Sequence, residues 1–165
     1  MNHDDWVAGV ACCGDYVLSA CYDNTVSIWN KVTGAKLLTS PGHAGPARAV
    51  AWVSLDQETG IFASTSHDQT VLLHQWNIKD NSIDCVNACK GHERSVDCVT
   101  VDPTQTLLAS GSFDNNLKIW GASLQTRSEA ASGDQVWSPK QFYSYKVNNN
   151  NISSGEEDTE GHQQF

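Results

Sequence analysis

Apolar side chains recur at every second position over much of the chain, not at every third or fourth. Val26 and Ile28, Val71 and Leu73, and Leu117 and Ile119 are such pairs. A period of two puts side chains alternately on the two faces of an extended backbone, so it argues for strands and against helices. The pattern predicts strands near Val7–Cys12, Tyr16–Cys21, Val26–Asn30 and Lys36–Thr39, and another near Ile83–Cys89 after the turn at Asp80-Asn81. Between strands the chain reads Asp-Asn-Thr, Asp-Gln-Thr and Asp-Asn-Asn from Asp23, Asp68 and Asp114. Asp and Asn suit tight turns because their short side chains bond nearby backbone groups.

The strands belong to a repeat. Four residues before each turn Asp stands a Ser: Ser19, Ser64 and Ser110. Upstream of each copy is a His: His3, His43 and His92. Four residues past the His come Val7, Ala47 and Val96, and seven past it Val10, Val50 and Val99. The aspartates are 45 and 46 residues apart. A repeat of that length with four short strands per copy is the signature of a β-propeller blade. The expected fold is all-β: a partial propeller of three blades, each of up to four antiparallel strands. Blade one takes residues 1–40, blade two 41–90 and blade three 91–122, the last incomplete because its fourth strand is missing or weak. Residues 123–165 read as a Ser-, Ala- and Glu-rich linker followed by a low-complexity, disordered tail. Phe142, Tyr143, Tyr145 and Val147 leave two readings open: a strand completing blade three, or a tail with chance aromatics, the latter being the expected one. Propellers close with 4–8 blades. Three would leave open faces, so a fragment or truncated form is expected.

The columns resemble the WD-repeat family. Its Gly-His pair stands at Gly42-His43 and Gly91-His92, and is degraded to Asn2-His3 in the first copy. Its strand-ending Trp stands at Trp29 and Trp120. In the second copy that slot holds His74, with Trp76 two residues on, so a longer strand or a bulge is expected there. The resemblance implies a structural polar chain within each blade: His3, Ser19, Asp23 and Trp29; His43, Ser64, Asp68 and Trp76; His92, Ser110, Asp114 and Trp120. Such a chain pairs groups that would cost about 1–3 kcal/mol each if buried unsatisfied. A Ser/His/Asp hydrolase reading is set aside, because three separated copies make no sense for catalysis and no Gly-x-Ser-x-Gly elbow is present. The expectation is no enzyme.

Charge narrows the partners. The formal net charge is −9 with no basic stripe, which removes the electrostatic footprint of a direct nucleic-acid binder and of a membrane-surface protein. The first apolar stretch is short and follows Asp4 and Asp5, so neither a signal peptide nor a membrane span is expected. The six cysteines then read as reduced. Cys85, Cys89 and His92 invite a zinc reading, but the spacing is irregular and small buried strand residues are the better expectation. No metal, cofactor or small-molecule substrate is expected.

More particular stretches narrow the resemblance. HDDWV (3–7), TSPGHAGPARAVAWV (39–53), STSHDQTVLLHQWNI (64–78), GHERSVDCVTVDP (91–103) and SGSFDNNLKIW (110–120) are similar to the Ytm-type WD-repeat ribosome-biogenesis family. The resemblance implies a non-catalytic scaffold in large (60S) subunit biogenesis, in the nucleus, nucleolus and nucleoplasm. It would support maturation of large-subunit and 5.8S rRNA alongside pescadillo and the block-of-proliferation protein, and would associate with pre-rRNA indirectly. The family's amino-terminal ubiquitin-like domain, which engages a releasing AAA ATPase, is not expected in this chain. In WD propellers the residue before each turn Asp and the loop after each His share one rim. That implies partner-binding candidates Tyr22, His67 and Phe113, with Arg48, Glu93 and Arg94. The alternative is a WD-repeat adaptor of another pathway, such as ubiquitin-ligase substrate recruitment.

Overall fold

The computed structural model describes residues 3–40, 42–126 and 135–146. They form twelve strands: β1 Val7–Cys13, β2 Tyr16–Cys21, β3 Val26–Asn30, β4 Lys36–Ser40, β5 Ala47–Leu55, β6 Thr59–Ser66, β7 Val71–Asn77, β8 Ser82–Cys89, β9 Val96–Val101, β10 Leu107–Ser112, β11 Asn116–Thr126 and β12 Gln135–Lys146. They pair into three four-stranded antiparallel sheets, β1-β2-β3-β4, β5-β6-β7-β8 and β9-β10-β11-β12. Each sheet is one propeller blade. Strand β5 lies between β1 and β9, and β8 between β4 and β12, so corresponding strands of successive blades are neighbours.

The third blade differs from expectation. It has its fourth strand, for β12 pairs along the whole of β11, from Asn116↔Lys146 to Thr126↔Gln135. Blade three is therefore complete, and the boundary at 122 falls inside a strand. The linker reading fails where β11 runs on to Thr126 and β12 begins at Gln135. The physical reason is that Val136, Trp137, Phe142, Tyr143 and Tyr145 are strong strand formers placed against an open sheet edge. Pro139 is tolerated because β12 is the outermost strand. The remainder of the expected linker, 127–134, and the tail from 147 lie outside the described residues.

The core lies between blades. One cluster joins Leu18, Ala20, Val26 and Ile28 of blade one to Ala47, Val50, Phe62 and Trp76 of blade two. A second joins Val53, Ala63, Val71, Leu73 and Cys89 of blade two to Val96, Leu108 and Trp120 of blade three. Blades pack so closely that a Cβ on Gly9 would come within 2.9 Å of Ala49 Cα and Arg48 O of the next blade.

One irregularity recurs. In each innermost strand an extra residue interrupts the ladder: Ala8 between Val7↔Cys21 and Gly9↔Ala20, Arg48 between Ala47↔Ser66 and Ala49↔Thr65, and Asp97 between Cys98↔Gly111 and Val96↔Ser112. A bulge of this kind frees one side chain from the alternation and re-aims it.

Candidate functional site

Two constellations stand out, one inside the blades and one across them. The inner one is the polar chain. In blade one, Trp29 Nε1 lies 2.7 Å from Ser19 Oγ, His3 Nε2 2.6 Å from the same oxygen, and His3 Nδ1 3.0 Å from Asp23 Oδ2. In blade three the matching distances are 2.8 Å for Trp120 to Ser110, 2.8 Å for His92 to Ser110, and 2.8 Å for His92 to Asp114. An indole N–H can only donate, so the Ser oxygen accepts from Trp and its single proton goes to the bare Nε2 of His. The His proton then sits on Nδ1 and points at the carboxylate.

Each carboxylate also closes its own turn. Asp23 accepts from the backbone N–H and hydroxyl of Thr25 and from the backbone N–H of Asp4. Burial opposes ionisation of Asp23, but the bonds from Thr25 and His3 outweigh it and hold the carboxyl below its ordinary range. At Asp114 burial is likewise outweighed, by the N–H of Glu93 and by His92, which bring the group down to about 2. The residue after each Asp has a left-handed backbone, with φ of 71° at Asn24, 73° at Gln69 and 65° at Asn115.

Blade two departs from the expected chain. His74, not Trp76, occupies the slot: it faces Phe62 across the ladder as Trp29 faces Val17 and Trp120 faces Leu108. His74 Nε2 is 2.8 Å from Ser64 Oγ, and His43 Nε2 is also 2.8 Å from it. His43 Nδ1 reaches Asp68 Oδ2 at 3.0 Å. Asp68 therefore takes the Nδ1 proton of His43, Ser64 donates to His43, and His74 donates to Ser64. That leaves His74 Nδ1 bare, and it lies 3.0 Å from Ser40 Oγ at the end of β4. A Trp could not make this last bond, since indole has one polar atom. The polar chain of blade two thus extends into blade one. Trp76 sits two residues further on, past the chain. It is buried at the interface with blade one, edge-on to Tyr16 at 4.8 Å, and its N–H has no partner among the described residues. No bulge separates β6 from β7, so the expected shift of Trp76 into the slot does not occur. Burial pushes the His74 imidazole down to about 3, with the nearby His43 adding to the effect.

Among the described residues, Cys21, Cys85 and Cys89 each have a place in the fold other than an open metal site. Cys21 takes the place that Ser66 and Ser112 hold in the other blades. Its thiol donates to Asp5 O and accepts from the N–H of Asp23, as the Ser66 hydroxyl donates to Gly45 O and accepts from the N–H of Asp68. His3, Cys21 and Asp23 offer ligand atoms within 4.8 Å of one another, yet each is engaged in the bonds that the other blades repeat with serine. Cys85 is bonded to Asn87 O, Cys89 is buried in the core, and His92 is committed to its own chain.

The outer constellation crosses the blades on one rim. The bulges at Arg48 and Asp97 bring their side chains together, Arg48 Nε to Asp97 Oδ1 at 3.0 Å, and Ser95 Oγ fixes the same carboxylate at 2.8 Å. Arg48 Cζ lies 5.3 Å from the centre of the Tyr22 ring. Tyr22 also meets His67 at 5.8 Å and Trp6 at 5.9 Å. Of the six rim candidates, the structure therefore brings Tyr22, Arg48 and His67 together. Phe113 is exposed on blade three, and the side chains of Glu93 and Arg94 are exposed beside it. Trp6, 76% exposed, and Asp97 were missed by the sequence reading. Asp97 was findable, because Ala8, Arg48 and Asp97 occupy one column of the repeat.

The family model "WD domain, G-beta repeat" matches residues 1–30 and 83–121. The stretch between these matches contains His74. The chain is 52% identical over 132 residues to the ribosome biogenesis protein WDR12 homolog of Drosophila virilis, covering 80% of this chain and 31% of that protein. It is 50% identical over 125 residues to the homolog of Aedes aegypti, covering 76% and 29%. It belongs to the WDR12 family of WD-repeat proteins. The homolog of Anopheles gambiae aligns over all 165 residues at 43% identity. The chain spans 36% of that WDR12 homolog's length.

Proposed function

We propose that the chain serves as a non-catalytic scaffold in ribosome biogenesis, acting on the large (60S) subunit and its 5.8S and large-subunit rRNA. Its partners in this reading are pescadillo-type and block-of-proliferation-type proteins, and its place is the nucleus, nucleolus and nucleoplasm. Tyr22, Arg48, His67, Glu93, Arg94 and Phe113 are the contact residues, joined by Trp6. The observation that carries the reading is the identity of about half over 132 residues to proteins named for ribosome biogenesis.

The rim gives the reading a physical surface. Aromatic side chains and Arg are favoured interface anchors, and here Tyr22 and Arg48 hold each other in place before any partner arrives. The three Ser side chains are buried, and each oxygen also accepts from Trp29, His74 or Trp120, which supports a role inside the fold and not in turnover. The test is isolation of the tagged chain from nuclear extract of dipteran cells. Pre-60S particles with pescadillo-type proteins are expected, with recovery reduced for Tyr22→Ala combined with Arg48→Ala. Ubiquitin-ligase subunits in their place would refute the assignment.

A further inference from the structure

Arg48 is fixed at one edge of its guanidinium and uncommitted at the other. The bulge in β5 takes its side chain out of the strand alternation and lays it on the rim. There Asp97 accepts from Nε at 3.0 Å, and Ser95 donates to the same carboxylate oxygen and holds it still. The guanidinium carbon lies 5.3 Å from the centre of the Tyr22 ring. Among the described residues no acceptor meets the two terminal amino groups. The polar groups nearby are uncommitted too. Tyr22 bonds Trp6 O through its backbone N–H, and its hydroxyl bonds nothing among the described residues. His67 is exposed; it bonds Pro46 O through its backbone N–H, and neither ring nitrogen has a bond among the described residues. The Tyr22 and His67 rings are 5.8 Å apart. Tyr22 belongs to blade one, Arg48 and His67 to blade two, and Ser95 and Asp97 to blade three, so the spot lies over the two junctions inside the chain.

We propose that this spot receives a single carboxylate, the side chain of an Asp or Glu on a partner protein, on the terminal edge of Arg48. The inference names the chemistry of the contact residues proposed above, and rests on their being a contact surface. A guanidinium held by Nε keeps its planar fork for a bidentate acceptor, and fixing it beforehand removes part of the ordering cost of binding. The Tyr22 and His67 rings beside it add apolar surface for the methylenes of an acidic side chain. Charge selects the occupant. Phosphate groups are met by clusters of arginines, whereas here one Arg stands, already paired with Asp97, in a chain of net charge −9. Arg94, also on the rim, follows Glu93 directly. A dianion or a nucleic-acid backbone is repelled by such a surface, where one carboxylate still gains a charge-assisted pair of bonds.

NMR titration of the purified, isotope-labelled chain with the peptide acetyl-Gly-Glu-Gly-amide is the test. Saturable binding in the millimolar range is expected, with shifts at the Arg48 guanidinium and the Tyr22 ring. The matching Gln peptide should bind about tenfold more weakly, since it brings no charge to the fork. Arg48→Ala should abolish the shift at Tyr22. Arg48→Lys keeps the charge without the fork and should weaken binding about threefold to tenfold. Equal affinity for the Glu and Gln peptides would overturn the proposal, and that comparison needs no variant to fold. Tighter binding of inorganic phosphate or of oligouridine RNA would also overturn it, as would Glu-peptide shifts that persist in Arg48→Ala. The readout is independent of the ribosome assignment. Failure to bind the Glu peptide, in a chain that still recovers pre-60S particles, would sink this proposal alone. Binding of that peptide at Arg48, in a chain that recovers ubiquitin-ligase subunits instead, would support it while the assignment fell.

Discussion

Acid should reveal His74. Its imidazole is 1% exposed and has a folded pKa of about 3 against an ordinary value of 6.5. Between those values the unfolded chain binds a proton that the folded chain refuses, so stability falls as pH falls from about 6.5. Lowering the pH from 7 to 5 should cost about 2 kcal/mol from this residue alone, at 1.36 kcal/mol per unit. That figure is set by the unfolded pKa: any folded value below about 4 gives nearly the same loss, because pH 5 still lies above it. The aspartates do not contribute in this window. Their folded pKa values are depressed, so their stabilisation is complete above 3.8 and is lost only below it. His43, also pushed down by burial against the pull of Asp68, adds to the loss in the parent. His74→Gln keeps a donor for Ser64 but cannot titrate. Urea unfolding followed by Trp fluorescence at pH 7 and pH 5, with the slope m constant, supplies the two free energies. The variant should start less stable at pH 7 yet lose about 2 kcal/mol less on acidification. A loss matching the parent's within about 0.5 kcal/mol would refute the assignment of His74 as the buried neutral group.

Other expectations follow from the same contacts. Ser110→Ala should cost about 1–3 kcal/mol in urea unfolding, because Trp120 Nε1 and His92 Nε2 both lose their partner. Gly9→Ala should destabilise by about 1–3 kcal/mol by the same assay, since the added methyl meets the backbone at Arg48 and Ala49. Gln69→Gly should raise the thermal midpoint, because relieving a left-handed backbone at φ 73° is worth about 1–2 kcal/mol against an entropy cost of about 0.5–1 kcal/mol for Gly, whereas Gln69→Val should lower it. Asp97→Ala should leave the fold intact but release Arg48 from its fixed position over Tyr22, seen as altered side-chain NMR shifts at Tyr22.

Much of the blade architecture was legible in the residues because a two-residue period and a recurring Ser-to-Asp interval are local signals. The Asp turns were readable for the same reason. What escaped was set by tertiary context. The run Gln135–Lys146 carries strand-forming residues, yet propensity alone does not say which edge such a run joins, and the intervening Ser- and Ala-rich stretch hid the connection to β11. Residue type alone points to Trp76 for the polar chain, and register overrides it. One ladder step decides which side chain reaches Ser64, and that step goes to His74. The bulges at Ala8, Arg48 and Asp97 leave no trace in an alternation pattern; the repeat aligns the three positions in one column, but that Arg48 meets Asp97 is set by the packing of one blade on the next.

Those bulged residues stand outside the register that holds their strands together. Exchanging Ala8, Arg48 or Asp97 for another residue leaves every rung of the adjoining ladder as it was. Specificity on this rim can therefore drift from one lineage to the next with little penalty in folding, while the neighbouring columns, pressed between blades, have no such freedom.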